Sequence, residues 1–319
     1  MGDGTHTPFQ ILALDGGGIR GMFIAAVMAK LEDDLGYPVC SRFDLIVGTS
    51  TGGIIALGLG CGYDARTILE TYVSSQSRIF GTNTVWPKLK MWFGPKYSQA
   101  GLRETVQSLF GARLLGESTH RLVIPAYNLD ENKVHIFKTP HHPRLRRDFR
   151  TPMWAVAMAT SAAPTYFVPF TLPEELIRLV DGGVWANNPC MVGVTEAVSV
   201  LGHRLEDVRL LSVGTTLSIT PRKPSADKKG ALRWLCEPSF KDIFLHGQSI
   251  AAFNEAVHLL GEDRAHRLNP VAPSELASLD HCNAERLIAK AAAFSREFCP
   301  TFEKVFGGHT PSPYKPMYG

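Results

Sequence analysis

Runs of apolar residues alternate with helical spacings along this chain. Phe9–Leu14 reads as a short β-strand running into a glycine turn, and Asp44–Val47 as a second buried strand. Met22–Asp34, with apolar residues at Phe23, Val27 and Leu31, has the spacing of a helix. Further helices are predicted over Thr51–Gly60, Ala65–Ser77, Leu102–Phe110 and Pro152–Ser161, the last with Pro152 in its first turn. Leu122–Asn128 and Lys133–Lys138 read as strands around the turn residues Asp130-Glu131-Asn132. Ile177–Val180 and Val208–Ser212 are apolar β-runs leading into Gly-rich turns. From Asp242 onwards the pattern is helical, at His246–Leu260 and Asn283–Phe298. Strands alternating with helices predict an α/β fold with a largely parallel sheet. Pro221–Lys229 reads as a loop or linker, and the helices after it look too few for a core of their own, so a single domain over 1–319 is expected.

Composition narrows the class. The 319 residues are 45% hydrophobic and 20% charged, as in an ordinary globular protein. A net charge of +3 is too small to imply DNA or RNA as a partner, though clustered positive charge would suit an anionic surface. Leu45–Tyr63 carries no charge and approaches bilayer-spanning length, but its glycines and its Thr49-Ser50-Thr51 fit a strand, turn and buried helix better. The opening MGDGTHTPFQ has neither a signal peptide's basic and apolar regions nor a myristoylation pattern. The six cysteines show no CxxC pairing and read as buried free thiols of a reducing compartment. These features together predict a cytoplasmic location.

Three glycine-rich turns carry the candidate chemistry. Asp15-Gly16-Gly17-Gly18-Ile19-Arg20-Gly21 follows a strand and precedes a helix, so it presents consecutive N–H groups and a helix N-terminus to an anion. A dinucleotide fold would need an acid at the end of the second strand, and there is none there. A phosphate-binding P-loop would need a Lys-Ser/Thr pair, also missing. The remaining reading is an oxyanion hole. Gly48-Thr49-Ser50-Thr51-Gly52 is a GxSxG turn between a strand and a helix, where glycine two residues either side leaves room for a tightly turned serine. A serine needs a base. None of the eleven histidines sits in an obviously prepared turn, whereas Asp181 ends an apolar strand and is followed by Gly182-Gly183. On physical grounds alone an ordinary Asp-Gly turn is an equal reading of Asp181, but a partly buried carboxylate with a raised pKa would accept the serine proton.

DGGGIRG, GTSTG and DGGVWANNP in this order resemble the three-part signature of patatin-like phospholipases, as do Ala159–Pro164 and Leu211–Thr215. The resemblance covers residues 8–215 well and the C-terminal helices, 240–300, loosely, and no motif residue departs from it. It implies a three-layer fold with a central sheet flanked by helices and a nucleophile elbow. It implies a serine acyl hydrolase without metal or cofactor, with Ser50 as nucleophile, Asp181 as base, and Gly16, Gly17 and Gly18 as the oxyanion loop. Arg20 matches the motif's basic position, to orient the loop or to meet a lipid phosphate. The implied substrate is a membrane phospholipid. An acyltransferase or thioesterase using the same dyad, or a lipid-binding protein without catalysis, are the alternatives.

Trp86–Lys96 interleaves aromatics with lysines, a pattern that suits transient docking on anionic lipid and equally suits a cap packed into the core. Arg144-Leu145-Arg146-Arg147 reads as a solvated loop rather than a lipid or nucleotide site. The compact chain also resembles bacterial patatin-like effectors that a cyclic oligonucleotide switches on in anti-phage signalling. A cyclic dinucleotide is therefore an expected activator, and a homo-oligomer is left open.

Overall fold

The computed structural model describes residues 7–80, 95–218, 238–272 and 283–318. Trp86–Gly94 and the loop Pro221–Lys229 lie outside the described residues, as do Cys236 and Cys282. The central sheet contains β1 (Phe9–Leu14), β2 (Leu45–Gly48), β3 (Arg121–Asn128), β4 (Lys133–Lys138), β5 (Phe170–Thr171), β6 (Arg178–Asp181), β7 (Val208–Val213) and β9 (Ala265–Leu268). Their order is β5-β6-β3-β2-β1-β7-β9, with β4 also on β3. The run from β3 through β2, β1 and β7 to β9 is parallel, while β4, β5 and β6 pair antiparallel. β8 (Leu217–Ser218) and β10 (Val271–Ala272) form a separate parallel pair.

Why the central strands β1, β2 and β7 are largely apolar follows from their two covered faces. Leu12 and Leu14 of β1 face a core built with α1 (Gly21–Leu35), α2 (Thr51–Gly60), α3 (Ala65–Phe80), α4 (Ala100–Phe110) and α5 (Met153–Thr160). Ile11 and Ala13, one residue out of phase, face the other core with α7 (Cys190–Thr195) and α8 (Pro238–Leu260). The short α6 (Gly183–Ala186) precedes α7, and α9 (Ala284–Phe302) closes the first face. The result is the expected helix–sheet–helix stack. α2 has no polar face, since all ten of its residues are buried, so the charge-free stretch 45–63 is a strand and a central helix. Among the described residues no helix is long and apolar enough to cross a membrane.

The purely helical reading beyond Asp242 needs correction. β9 extends the main sheet beside β7, with Leu210 opposite Ala265, and β10 follows it. β9 is short and mixed (AHRL), so its strand character comes from the β7 edge rather than from its own periodicity. α9 packs on α1 through Phe294 against Phe23, and Phe302 and Phe306 close over Phe43. The late elements thus share the core of the early ones. Cys40, Cys61, Cys190 and Cys299 are free thiols.

Register explains how two distant turns meet. Val123 of β3 pairs with both Val47 of β2 and Lys138 of β4, and Ala126 pairs with both Asp181 of β6 and His135 of β4. A strand residue has two edges, so β2 and β6 must lie on the same edge of β3. They approach from opposite directions, and the carboxyl ends of both point into the gap between Val123 and Ala126.

Phe302 is fully buried. Phe302→Ala is expected to cost about 3–5 kcal/mol in urea unfolding. A loss below about 1 kcal/mol, the size of a surface change, would show that α9 is not part of this core.

Candidate active site

Only Thr49 and Ser50 separate β2 from α2. Ser50 takes φ 55 and ψ −122, a conformation that costs a non-glycine residue about 1–3 kcal/mol. The turn is so tight that a Cβ at Gly52 would stand 2.2 Å from the Leu14 carbonyl oxygen, and one at Gly48 2.2 Å from that of Gly52. Hydrogen bonds hold the strained residue in place. The Ser50 N–H donates to Thr160 Oγ1 at 3.0 Å, and that hydroxyl donates to the Pro125 carbonyl at 2.6 Å. Thr49 Oγ1 donates to the Ala186 carbonyl at 2.7 Å.

The structure brings Ser50 and Asp181 together. Ser50 Oγ donates to Asp181 Oδ2 at 2.6 Å, and the Gly183 N–H donates to Oδ1 at 2.7 Å. Burial pushes the Asp181 carboxyl up to about 6, against the pull of these two hydrogen bonds. A carboxylate poised there is a far better proton acceptor near neutrality than one of ordinary acidity. Ser50 sits at the N-terminus of α2, whose dipole favours negative charge on its oxygen. Among the described residues no histidine lines the cavity over this pair.

The first glycine turn divides its duties. Gly17 and Gly18 line the cavity, and Gly18 takes a left-handed φ of 58, which turns the chain at the start of a 3-10 segment. Among the described residues nothing accepts from the N–H groups of Gly17 and Gly18. Gly16 differs from its expected role: its N–H donates to the Asn187 carbonyl at 2.8 Å. It therefore anchors the loop rather than facing an oxyanion. Arg20 is buried at 4% exposure, its Nε donates to the Gly17 carbonyl at 3.4 Å, and it does not line the cavity. That position suits orientation of the loop and not a lipid phosphate. Beneath the loop, the Asp15 carboxylate takes both Nη groups of Arg267, at 2.6 and 3.2 Å, and Arg267 also donates to Ser212 Oγ at 2.6 Å.

Several residues of the site were not singled out from the sequence. Asn187 donates from Nδ2 to Ser249 Oγ at 2.9 Å, and Asn188 from Nδ2 to the Ser249 carbonyl at 3.2 Å, so α8 grips the strand-to-helix turn. Two neighbouring amides beside a catalytic-type motif were the available signal. Tyr72 bonds Thr51 Oγ1 at 2.7 Å. Nothing in the sequence near Arg267 marks it, because its partner is 252 residues away.

Above the pair lies a cavity of about 390 Å³ with apolar walls that include Ile54, Ile79, Phe80, Leu102 and Phe167. Phe244 and Val184 line it and yet are 56% and 41% exposed, which gives it an apolar mouth. Of the Trp86–Lys96 segment, Lys96 is described: its N–H donates to the Thr165 carbonyl and its Nζ lies 5.3 and 5.8 Å from the Tyr97 and Tyr166 ring centres.

Residues 12–194 match the family model of the patatin-like phospholipases. The chain belongs to this family. Its relatives include the cGAMP-activated phospholipase of Pseudomonas aeruginosa, 38% identical over 229 residues, covering 71% of this chain and 68% of that protein. The cGAMP-activated phospholipase of Vibrio cholerae is 36% identical over 246 residues, covering 70% and 69%. The cUMP-AMP-activated phospholipase of Escherichia coli is 28% identical over 235 residues, covering 71% and 70%. The aligned region thus spans about two thirds of these relatives, and the family match contains Ser50, Asp181 and the glycine loop.

Two measurements probe this geometry. Thr160→Val leaves the Ser50 N–H and the Pro125 carbonyl buried without their partner, so a loss of about 1–3 kcal/mol is expected. Thr160→Ser should restore most of it, and equal losses in the two variants would assign Thr160 a packing role only. Asp181 holds its proton more tightly folded than its ordinary value of 3.8, so the folded chain carries the extra proton between 3.8 and about 6. This contribution to stability therefore falls as pH rises through that window. Relative to wild type, Asp181→Asn should gain on the order of 3 kcal/mol between pH 4 and pH 7 in urea titrations. A difference that does not change with pH would place the Asp181 carboxyl near its ordinary acidity.

Proposed function

We propose that this chain is a lipid acyl hydrolase that cleaves carboxylic esters of membrane phospholipids with a Ser50–Asp181 dyad. The observation that carries the proposal is the 2.6 Å hydrogen bond from Ser50 Oγ to a buried carboxylate on the floor of an apolar cavity. As Ser50 Oγ bonds to the ester carbonyl carbon, its proton passes to Asp181. The negative charge gathers on the former carbonyl oxygen, where the Gly17 and Gly18 N–H groups stand ready. Collapse breaks the bond to the alcohol, which takes the proton from Asp181. Water, deprotonated by the same carboxylate, then bonds to the acyl carbon, and the Ser50 Oγ–acyl bond breaks as Oγ takes that proton from Asp181, which frees the fatty acid. The apolar walls suit an acyl chain, and the exposed Phe244 and Val184 at the mouth suit transient contact with a bilayer surface.

The proposal includes activation by a cyclic dinucleotide. Its support is the similarity to phospholipases named for activation by cGAMP and by cUMP-AMP.

Product analysis by lipidomics of mixed phospholipid vesicles tests the chemistry, with and without cGAMP and cUMP-AMP. Free fatty acid should accumulate with wild type and fall by roughly a thousandfold or more in Ser50→Ala and Asp181→Asn. Retained hydrolysis in both variants refutes the dyad, and acyl transfer to an added alcohol in place of hydrolysis makes the chain an acyltransferase. Because the base must be ionised, kcat/KM should rise with pH to a plateau with its midpoint near the Asp181 value of about 6. A profile flat from pH 5 to pH 8 speaks against Asp181 as the base.

A further inference from the structure

A second pocket, of about 350 Å³, lies far from the glycine turns, along the edge strand β4 and the loop that follows it. Val134, Ile136 and Leu145 give it an apolar floor, and Lys138, Arg144, Arg146, Arg147 and Asp148 its charge. Two of the four cations are neutralised where they stand. Lys138 pairs with the buried Glu196, and Arg147 grips Asp148 through Nε at 2.6 Å and Nη2 at 3.2 Å. Arg144 and Arg146 are different. Arg144 Nη2 donates to the Ser199 carbonyl at 3.3 Å, and Arg146 Nε to Tyr318 Oη at 2.8 Å and the Pro143 carbonyl at 3.3 Å. Those partners are neutral, and among the described residues neither arginine meets a carboxylate. The Arg146 guanidinium is also set on the Tyr318 ring, 4.9 Å from its centre, and Tyr318 Oη is tied to the Pro143 carbonyl. Two positive charges are thus held over an apolar floor where, among the described residues, no carboxylate meets them.

We infer that this pocket binds the phosphodiester groups of a cyclic dinucleotide. The inference rests on the activation reading above and gives it a place. Guanidinium groups match phosphate oxygens in pairs, and their planes and the aliphatic floor accept the face of a base. Occupancy also reaches a residue tied to the oxyanion loop's support. A phosphate near Lys138 competes with Glu196, which receives a hydrogen bond from His141 as well and lies just past the end of α7. At its other end α7 begins at Cys190, three residues after the Asn187 whose carbonyl anchors Gly16.

Isothermal titration of the full chain with cGAMP and with cUMP-AMP, beside inorganic phosphate and phosphatidylglycerol vesicles, tests the inference. Arg144→Glu and Arg146→Glu should each weaken binding of the cyclic dinucleotide by roughly tenfold or more, with urea midpoints confirming that the variants are folded. Should Arg146→Glu fail to fold, Arg144→Gln serves, since among the described residues the Arg144 side chain donates to one backbone carbonyl. If wild type binds a cyclic dinucleotide and the variants bind it as tightly, the site is wrong and activation stands. If wild type binds neither nucleotide, the activation reading falls and the site with it. If the variants lose only vesicle binding, the patch meets membrane and the inference is overturned.

Discussion

One edge of β3 governs this molecule. β2 occupies its first part and β6 its last, and the two strands run toward each other. Val47 and Asp181 stand opposite Val123 and Ala126, three residues apart on β3 or about 10 Å. The gap between has no strand in it, and its shape dictates what surrounds it. Pro125 lies in the gap, where a missing N–H leaves no ladder bond unmade. Its carbonyl, which would otherwise be buried without a partner, takes the Thr160 hydroxyl, and Thr160 in turn takes the Ser50 N–H. The Ser50 backbone is therefore tied to the same edge that positions Asp181.

Such a site works against stability in two places. Ser50 holds a strained backbone, and Asp181 is buried at an acidity that makes its charge unfavourable at neutral pH. Both are tolerated because their surroundings are over-determined. A relaxed Ser50 would have to give up its bond to Thr160, and a Cβ at Gly52 would collide with Leu14. Among the described residues the carboxylate keeps two hydrogen-bond donors, from Ser50 and Gly183, enough to orient it and too few to restore ordinary acidity. The same burial that costs stability raises the proton affinity of the carboxylate proposed as the base.

The early strands and helices were legible because local pattern and tertiary role agree. β1, α1, β2 and α2 are apolar runs or spacings bounded by glycine, and their limits lie within a residue or two of those expected. Ser50 was legible through its turn, since a tight strand-to-helix turn needs glycine at fixed offsets, whereas Asp181 was singled out only with the family resemblance, because an ordinary Asp-Gly turn reads the same. What sequence could not show was which N–H groups remain free. Gly16 belongs to the same glycine run as Gly17 and Gly18, yet the fold places the Asn187 carbonyl on it, and that contact spans 171 positions of chain. Of the two roles that the motif left open for Arg20, its position suits orientation of the loop, for a related reason. Charge in a motif suggests solvent or ligand, whereas here it is buried against the Gly17 carbonyl. β9 was invisible because a four-residue edge strand takes its conformation from its neighbour.

The family match ends at residue 194, but the site does not. Arg267 on β9 neutralises Asp15, the first residue of the glycine turn, and Ser249 on α8 holds both Asn187 and Asn188. Phe244, Leu245 and Gln248 of α8 complete the cavity wall. The residues proposed for bond breaking therefore lie within the family span, while part of the brace of the glycine loop and part of the cavity wall are drawn from beyond it. A chain with this division can keep its chemistry constant while later segments vary the fit of the lipid. Docking of α8 on the Asn187–Asn188 turn thereby supports the glycine loop, because the carbonyl that anchors Gly16 belongs to the very residue that Ser249 holds.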